Sequence, residues 1–345
     1  ILLNGTAIHG EDFDDTFEGT PVHVGSVMVS SILTATEYYK LKPEQIILGI
    51  VTGAELICRL ALVSPMAIHK QGFHPTAILG AFGASIGVSK ILENNIKQTT
   101  SSLGIVGSMA SGIIEYLAEG TWTKRMHPGW AGSCGWKSAH LGKTNFKGPR
   151  TVLDGNHGLF NTFAHSSIVP NFSKLINKLG SYWHTNDLAM KPFACGTMTQ
   201  PFIDCAIKAR KKINDYKSIK SISCKVGEGT VHRLWEPLSE KRNPSTPYSA
   251  KFSVPFCIAI GIIYGKAGLS QFTEKEVNDE DILKLCSKID YEIDPLNEYP
   301  KNYSGEINIT LENGDIINQK QSNLRGGKLF PLNRQDVELK FIENL

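Results

Sequence analysis

This sequence of 345 residues has little excess of charge of either sign. Its 36 Lys and Arg residues are nearly balanced by 33 Asp and Glu residues, which leaves a net charge of +3. So small an excess excludes a broad basic surface for nucleic acid, and basic residues that matter must act locally. Hydrophobic residues form 41% of the chain and charged residues 20%, which excludes a disordered or fibrous protein. At about 150 residues per domain, the length predicts two domains.

Paired cysteine motifs are also missing. The seven cysteines are scattered and none forms a Cys-x-x-Cys pair, so neither a zinc ribbon nor a thioredoxin-type site is indicated. They predict buried, reduced thiols in a cytoplasmic protein. The ten histidines lack the spacing of metal ligands. We therefore expect no cofactor and no metal, and a metal-binding protein is the weakest of the functional interpretations.

The most apolar long stretch covers residues 46–63 and contains Glu55 and Arg59. Two charges in so short a window favour a core helix over a membrane span. No basic-then-apolar segment of the signal-peptide kind opens the sequence. We therefore expect no membrane partner.

Residues 1–184 predict a helical domain. The expected helices cover residues 9–16, 22–39, 43–63, 76–92 and 104–118, and Pro43 is placed where a first helical turn tolerates proline. Segment 76–92 is rich in Ala, Gly and Ser, with Gly80, Gly83 and Gly87 at helical spacing. Because glycine weakens an exposed helix, this helix should be buried at the centre of the domain.

The pattern changes after about residue 187. Residues 217–226 alternate as a strand does, and 251–264 form an apolar segment of helical length. Residues 306–311 and 315–319 flank Asn313-Gly314, a strong hairpin signal. We therefore predict an α+β domain over residues 185–323. A helix over 331–344, with Asn333 as its N-cap, predicts a return to the helical domain over 324–345.

Three polar clusters could carry chemistry, and the first covers residues 9–16, followed by His23. If this segment is helical, Asp12 and Thr16 share one face, with His9 three residues before Asp12. A carboxylate, a hydroxyl and an imidazole placed together could abstract a proton or polarise a substrate hydroxyl. The alternative is an acidic helix start that only interacts with the helix dipole.

The second cluster is Gly72-Phe73-His74-Pro75-Thr76. Pro75 suits a first helical turn, so His74 should lie just before a helix N-terminus. The positive end of a helix dipole lowers the pKa of a nearby imidazole, which suits a neutral general base. The alternative is a loop histidine with a structural hydrogen bond.

The third cluster lies between Gly120 and Gly129 and contains Lys124, Arg125 and His127. Adjacent cations with an imidazole are typical of a loop that binds carboxylates, and a solvated basic turn is the alternative. Lys191, beside an apolar stretch, offers a further cation.

Taken in order, these segments resemble the MmgE/PrpD family, which includes 2-methylcitrate dehydratase and cis-aconitate decarboxylase. The resemblance covers essentially the whole chain, and its strength lies in the order of six individually weak motifs. The matching stretches are residues 3–9, 12–16, 72–75, 120–129, 191–193 and 242–252. Family members are longer at both ends, so the resemblance implies that N-terminal and C-terminal helices of the main domain are missing from this sequence.

The resemblance implies a mainly α protein with a large all-helical domain and a smaller α+β lid domain. It also implies a cofactor-independent enzyme for small polycarboxylates, usually a homodimer. The family's active-site positions fall on Asp12, Thr16, His23, His74, Lys124 and Lys191. Arg125, beside Lys124, is a further candidate for binding a substrate carboxylate.

Two residues depart from the decarboxylase branch of the family. Gly196 stands where that branch has a histidine, and Phe256 stands where it has a tyrosine. The resemblance therefore favours dehydration of a hydroxy polycarboxylate similar to 2-methylcitrate. The alternatives are an epimerase or decarboxylase of the same fold and a non-catalytic carboxylate-binding protein.

The expected chemistry fits the candidate residues. A di- or tricarboxylate needs fixed cations, which Lys124, Arg125 and Lys191 can supply without a metal. Elimination of water needs a base beside a carboxylate and an acid for the departing hydroxyl. We expect His74 or Asp12 to act as the base, and His23 or Thr16 to act near the leaving group.

Overall fold

The computed structural model describes residues 1–18, 20–119 and 121–345. Contacts divide the chain into two compact units. The helical unit contains Ile1–Gly10 and Asp14–Leu188, and the sheet unit contains Glu11–Phe13 and Ala189–Leu345. The chain is mostly helical, in agreement with the predicted class.

The helical unit is built of helices joined by short turns, with one short strand, β1 (Thr16–Phe17). A 3-10 turn at His184–Asp187 precedes the unit boundary, where β2 (Leu188–Ala189) lies. The helices are α1 (Leu2–Gly10), α2 (Gly25–Tyr39), α3 (Pro43–Val63), α4 (Ala67–Lys70), α5 (Pro75–Ile91), α6 (Ile96–Gly107), α7 (Tyr116–Glu119), α8 (Thr123–Lys143), α9 (Leu159–Phe163) and α10 (Ser173–Ile176).

Helix α5 is the predicted buried helix, and burial extends over almost its whole surface. Its glycines allow neighbouring backbones to approach closely: a Cβ built on Gly83 would lie 2.8 Å from the carbonyl oxygen of Gly53 in α3. On the side facing α8, a Cβ at Gly135 would lie 2.5 Å from the backbone nitrogen of Ser85. The small residues therefore set the spacing of α3, α5 and α8, and the helix is buried as predicted.

Helix α3 contains a buried ion pair. Arg59 Nε donates to Oε1 of Glu55 at 2.7 Å, and the guanidinium also donates to the carbonyls of Asn177 and Tyr182 at 2.9 and 3.0 Å. By length and composition alone, this helix could cross a membrane, but 56% of its most apolar window is buried within the protein. Its packing and its satisfied charges are those of a core helix, as predicted.

The sheet unit combines a four-stranded sheet with helices. Its strands are β3 (Ile219–Val226), β4 (Ile289–Ile293), β5 (Gly305–Leu311) and β6 (Ile316–Gln321). Its helices are α11 (Gln200–Arg210), α12 (Glu228–Leu234), α13 (Leu238–Arg242), α14 (Pro247–Ala250), α15 (Val254–Tyr264), α16 (Glu274–Val277), α17 (Glu280–Cys286) and α18 (Arg334–Glu343). Short 3-10 turns occur at Thr197–Thr199, Tyr216–Ser218 and Leu269–Gln271.

The sheet has the strand order β4-β3-β5-β6. Strand β3 pairs in parallel with β4 and antiparallel with β5, and β5 forms the predicted hairpin with β6. Gly314 in the hairpin turn has φ +90°, a conformation that glycine adopts without strain. Alternate residues of β3 and β5 are buried against α11 and α15, which places the core of this unit on one face of the sheet.

The C-terminal helix belongs with the sheet unit, whereas the sequence predicted a return to the helical domain over 324–345. Asn333 caps α18 as expected, because its side chain accepts from the amide of Asp336 at 2.9 Å. Arg325 pairs with Asp204 of α11 at 2.9 Å, and Lys340 donates to the carbonyl of Lys191 at 2.9 Å. These charged contacts hold the segment in the sheet unit. A local helix pattern gave no information about which unit it joins.

Two of the predicted helices differ from the structure by more than a few residues at their ends. The predicted helix over 9–16 is wrong, because α1 ends at Gly10 and Asp12 has φ +52°, a left-handed conformation that cannot continue a helix. The predicted helix over 104–118 is divided between the end of α6 and the short α7. All seven cysteines are free and buried, as predicted.

Replacing Gly83 by Ala should lower the free energy of unfolding by about 1–3 kcal/mol, because the added methyl group overpacks the α3–α5 contact. Helix propensity alone predicts the opposite sign, a gain of about 1 kcal/mol. Gly268→Ala is the matched control, because its Cβ would make only an ordinary contact of 3.6 Å with Gln271. Urea unfolding measures both variants, and a Gly83→Ala protein as stable as the parent would contradict the packing described.

Candidate active site

Four histidines and one aspartate meet inside the helical unit, and we call them the histidine cluster: His9, His23, His74, His127 and Asp14. Each histidine comes from a different part of the chain: the end of α1, the turn before α2, the N-cap of α5 and the second turn of α8. All five residues are buried. Ring centroids lie 4.6 Å apart for His9 and His23 and 5.2 Å apart for His74 and His127.

The close approach of α1 to α8 brings two of these histidines together. A Cβ on Gly5 of α1 would lie 2.6 Å from the backbone nitrogen of Gly129 in α8, so only glycine permits this crossing. His9 follows Gly5 by one helical turn, and His127 precedes Gly129 by two residues. The crossing therefore carries both imidazoles into the same interior region.

Asp14 orients His9. The Nδ1–H of His9 donates to Oδ2 of Asp14 at 2.7 Å, a short, charge-assisted hydrogen bond between two buried groups. The bond fixes the tautomer, and it leaves a lone pair on Nε2 of His9. That nitrogen is buried and has no hydrogen-bond partner in the part of the chain that the structure describes.

His23 is fixed in the same tautomer by a different partner. Its Nδ1–H donates to the backbone carbonyl of Asp15 at 2.9 Å and also lies 3.4 Å from Oδ1 of Asp14. Its backbone amide donates to Oγ1 of Thr76, in the first turn of α5, at 3.0 Å. The carboxylate of Asp15 accepts from the amide of Gly25 at 2.7 Å and so anchors the start of α2. His23 therefore also presents Nε2 as a proton acceptor.

His74 lies at the N-cap of α5, directly before Pro75, as the sequence predicted. Its Nδ1 is 3.0 Å from Nδ1 of His127, so one of the two imidazoles donates to the other. The ring of Tyr116 makes edge contacts with both, at centroid distances of 6.1 and 5.7 Å. The contact with His127 therefore holds the His74 ring in its orientation.

Burial dominates the electrostatics of the cluster. Desolvation lowers the pKa of His9 despite the opposing charge of Asp14, and burial with the nearby charges of His9 and Lys124 lowers the pKa of His74 well below its ordinary value. The same causes lower the pKa of His127 to about 4. Burial alone would raise the pKa of Asp14, but the charges and hydrogen bonds of His9 and His23 hold it well below its ordinary value. Near neutral pH, His9, His74 and His127 are therefore neutral and Asp14 is ionised.

Lys124 supplies positive charge beside the cluster, since its charge acts on three of the four imidazoles. The sequence predicted a loop here, but Lys124 and Arg125 lie in the first turn of α8, and Gly120 lies outside the described residues. Arg125 packs over the ring of Trp122, 4.7 Å from its centroid. The predicted pair of cations is therefore presented at a helix N-terminus, where the helix dipole also favours an anion.

Asp12 and Lys191 belong to the sheet unit, where they lie together with Tyr248. The Nζ of Lys191 is 3.9 Å from Oδ1 of Asp12 and donates to the carbonyl of Asp12 at 2.8 Å. The hydroxyl of Tyr248 donates to Oδ2 of Asp12 at 2.9 Å. Asp12 therefore does not share a helical face with Thr16, which is buried in strand β1 of the helical unit.

Three lysines hold the segment Glu11–Phe13 in the sheet unit. Lys251, Lys191 and Lys340 donate in turn to the carbonyls of its three consecutive residues, at 2.8, 2.8 and 2.7 Å. Lys251 also pairs with the carboxylate of Glu11 at 2.5 Å. Lys191 thus has a structural partner of its own, which its sequence context did not indicate.

Sequence reasoning named His23, His74 and Lys124 as site residues, and the structure brings these three together. It placed His9 and His127 within two of the polar clusters but did not carry them into the final set of site residues, and it gave Asp14 no role. The available signal was the density of ionisable residues in those segments. That signal could not reveal the close crossing of α1 and α8, because the crossing depends on tertiary packing.

The chain belongs to the MmgE/PrpD family. Residues 1–169 match the MmgE/PrpD N-terminal domain, and residues 193–345 match the MmgE/PrpD C-terminal domain.

Similar curated proteins carry the name cis-aconitate decarboxylase. The human protein is 28% identical and the mouse protein 26% identical, each over 99% of this chain and 71% and 70% of their own lengths. The protein from Aspergillus terreus is 22% identical over 84% of this chain and 62% of its own length.

The two departures from the decarboxylase pattern lie in the sheet unit. A Cβ at Gly196 would lie 3.2 Å from the ring of Phe252, so a larger side chain there requires that ring to move. Phe256 is fully buried and packs 6.0 Å from the ring of Phe272. Around both positions the surroundings are aromatic and apolar.

Lowering the pH should destabilise the fold between about pH 6.5 and pH 4. In this range an unfolded histidine binds a proton, whereas His127, with a pKa of about 4, stays neutral in the folded state. The unfolded state binds more protons, so the free energy of unfolding falls as pH falls. Urea unfolding from pH 7 to pH 4 measures the slope.

In His127→Gln this slope should be shallower, by at most about 1.4 kcal/mol per pH unit for one proton. The exposed His157 provides the control variant His157→Gln, whose slope should match the parent. Equal slopes in the parent and His127→Gln would show that His127 is not held neutral by the fold.

Proposed function

We propose that this chain is a lyase that acts on a small hydroxy or unsaturated polycarboxylate by general acid and base chemistry. The observation that carries the proposal is the histidine cluster, in which buried imidazoles that are oriented by hydrogen bonds lie beside the positive charge of Lys124. Family membership supports the class of reaction, because the similar human and mouse proteins are named for a lyase of a tricarboxylate. Metal independence, a homodimer and a cytoplasmic location belong to the same proposal.

His74 is the proposed base. A proton on the carbon next to a carboxylate can be removed by an imidazole that is neutral and held in place, and His127 holds His74 in place. Without a bound anion, His74 is a weak base, because burial and the charges around it oppose its protonation. A bound polycarboxylate changes that balance. Its negative charges raise the pKa of a neighbouring imidazole, so substrate binding itself makes His74 more basic.

In a dehydration, His23 is proposed to act as the acid from its imidazolium form, in which Nε2 carries a proton that passes to the departing hydroxyl. The ring becomes neutral in this step and must take up a proton at Nε2 before the next turnover. Its Nδ1–H is fixed on the carbonyl of Asp15, so Nε2 is the nitrogen that can exchange a proton with a substrate. Asp14 stabilises the imidazolium that forms when either His9 or His23 takes a proton. The carboxylate thus acts through the histidines as a positioning and electrostatic group.

Substrate carboxylates are proposed to interact with Lys124 and Arg125 at the start of α8. Two cations and the N-terminal end of a long helix favour an anion together. Lys191, in the sheet unit, remains a proposed carboxylate ligand in addition to its contact with Asp12. Asp12 and Thr16 likewise remain proposed site residues.

Dehydration is the reaction we favour, with decarboxylation as the second candidate. The glycine at position 196 and the phenylalanine at position 256 support dehydration, because the histidine and tyrosine expected of a decarboxylase are replaced by groups that cannot move a proton. The names of the similar proteins support decarboxylation. Both reactions need the same base position and the same cations.

Incubation with hydroxy and unsaturated di- and tricarboxylates, followed by mass analysis, distinguishes these reactions. Dehydration predicts loss of one water from a hydroxy tricarboxylate, with new ultraviolet absorbance from the double bond. Loss of carbon dioxide from an unsaturated tricarboxylate would establish decarboxylation instead. Binding of these compounds without any mass change, and without exchange of a carbon-bound proton, would contradict the proposal of an enzyme.

The pH dependence of turnover should separate the free protein from its substrate complex. If bound carboxylates raise the pKa of His74, the acidic limb of kcat will lie at higher pH than the acidic limb of kcat/KM, which reports the free enzyme. Activity is lost on the acidic side in both profiles, because the base must be neutral to accept a proton. Steady-state rates from pH 4.5 to pH 8.5 measure both limbs.

His74→Gln should lower kcat by about 100- to 10,000-fold, the usual contribution of a general base, with a smaller change in KM. His157→Gln should behave as the parent. An active His74→Gln variant that keeps the parental acidic limb would assign the base to another group.

A further inference from the structure

Three of the four histidines are arranged as a ligand set. His9, His23 and His74 each offer one ring nitrogen, and these nitrogens all lie within 4.8 Å of one another in a fully buried setting. We propose that they form a binding site for one divalent transition-metal ion of the Zn²⁺ type. In the part of the chain that the structure describes, these three residues are buried and their ring nitrogens are close enough together to bind one ion. The inference goes beyond the proposed function, and its binding test does not depend on that function.

The hydrogen bonds already made by two of the rings select the nitrogens that would bind. His9 and His23 donate their Nδ1–H groups to Asp14 and to the carbonyl of Asp15, so each ring keeps its Nε2 lone pair. Nε2 of His9 is buried without a hydrogen-bond partner among the described residues, which is costly for a polar atom. A metal ion would satisfy it.

The contact between Asp14 and His9 is the one that metal-binding histidines usually make. A histidine ligand commonly donates its second N–H to a carboxylate or a backbone carbonyl, which fixes the ring and raises its basicity as a ligand. Here one ring has the carboxylate and the other the carbonyl. Asp14 also supplies a negative charge beside the cation.

The size of the site agrees with zinc after a modest contraction. Zn–N bonds of about 2.0–2.1 Å place the nitrogens of a tetrahedral site about 3.3 Å apart. The present limit of 4.8 Å therefore requires shifts within the range of side-chain rotation. Three nitrogen ligands leave a fourth position for water or for a substrate oxygen. Nitrogen ligands favour zinc-like ions over Mg²⁺, which prefers oxygen.

One charge opposes the ion. The positive charge of Lys124 acts on His9 and His74, so it should repel any cation bound between them. Removing that charge should strengthen metal binding, although the same change should weaken binding of a carboxylate substrate. This opposite response distinguishes a metal bound at the cluster from a metal bound elsewhere.

If the proposed function holds, the ion would inhibit it, because zinc would occupy the lone pairs that move protons. Binding and inhibition are measured separately. A chain that binds zinc but shows no turnover would leave this inference intact and count against the proposed function. A chain that turns over substrate, binds no zinc and is unaffected by zinc would support the proposed function and contradict this inference.

The test is titration of the purified chain with Zn²⁺ in competition with a chromogenic chelator, with Mg²⁺ as the chemical control. We expect one zinc ion per chain, with a dissociation constant of about 1 µM or tighter. His9→Gln should weaken binding by at least roughly 10- to 100-fold, the range caused even by changes around a ligand. His157→Gln should leave it unchanged. Circular dichroism reports whether each variant is folded.

Lys124→Met extends the test to a half-buried residue in the first turn of α8. Its zinc affinity should rise by roughly two- to sixfold, as expected for loss of one nearby positive charge. This variant keeps the test decisive even if His9→Gln does not fold. Zinc binding that is absent from the parent, insensitive to a folded His9→Gln, or weakened by Lys124→Met would overturn the proposal.

Discussion

The buried carboxylate of Asp14 is the charge on which the histidine cluster depends. It lies 2.7 Å from Nδ1 of His9 and 3.4 Å from Nδ1 of His23, and without those partners it would be an uncompensated ion in the protein interior. The carboxylate also orients the two histidines, because both rings turn Nδ1 toward it and keep Nε2 for proton transfer. The tight crossing of α1 and α8 at Gly5 and Gly129 makes this arrangement possible, because it brings His9 and His127 into one region. The close packing of small residues therefore determines where the charged and titratable groups of the cluster lie.

The electrostatics of the histidine cluster favour the binding of an anion. Burial keeps the pKa values of His9, His74 and His127 below their ordinary values, and the positive charge of Lys124 lowers them further. A polycarboxylate supplies the missing negative charge and makes the imidazoles better bases as it binds. A zinc-like cation would use the same lone pairs against the charge of Lys124. The two ligands should therefore compete for the cluster.

Local signals in the sequence predicted local structure well. Pro43 and Pro75 mark the starts of α3 and α5, Asn313-Gly314 marks the hairpin, and Asn333 caps α18. The glycine pattern of α5 also predicted a buried central helix. The predicted helix over 9–16 failed because Asp12 has a left-handed backbone, and the carbonyl of Asp12 accepts a hydrogen bond from Lys191, which is distant in sequence. His9, Asp14 and His127 were not selected for the same reason: each acquires its role only when separate helices meet.

The central claim is that the histidine cluster moves a proton at the carbon next to a substrate carboxylate. Proton NMR of a turned-over substrate in D₂O, for the parent and for Asp14→Asn, tests it most directly. The parent should exchange or lose that carbon-bound proton stereospecifically, and Asp14→Asn should do so more slowly by at least roughly 100-fold, because His9 and His23 lose the carboxylate that orients them. A folded Asp14→Asn protein that handles the proton at the parental rate would contradict the account.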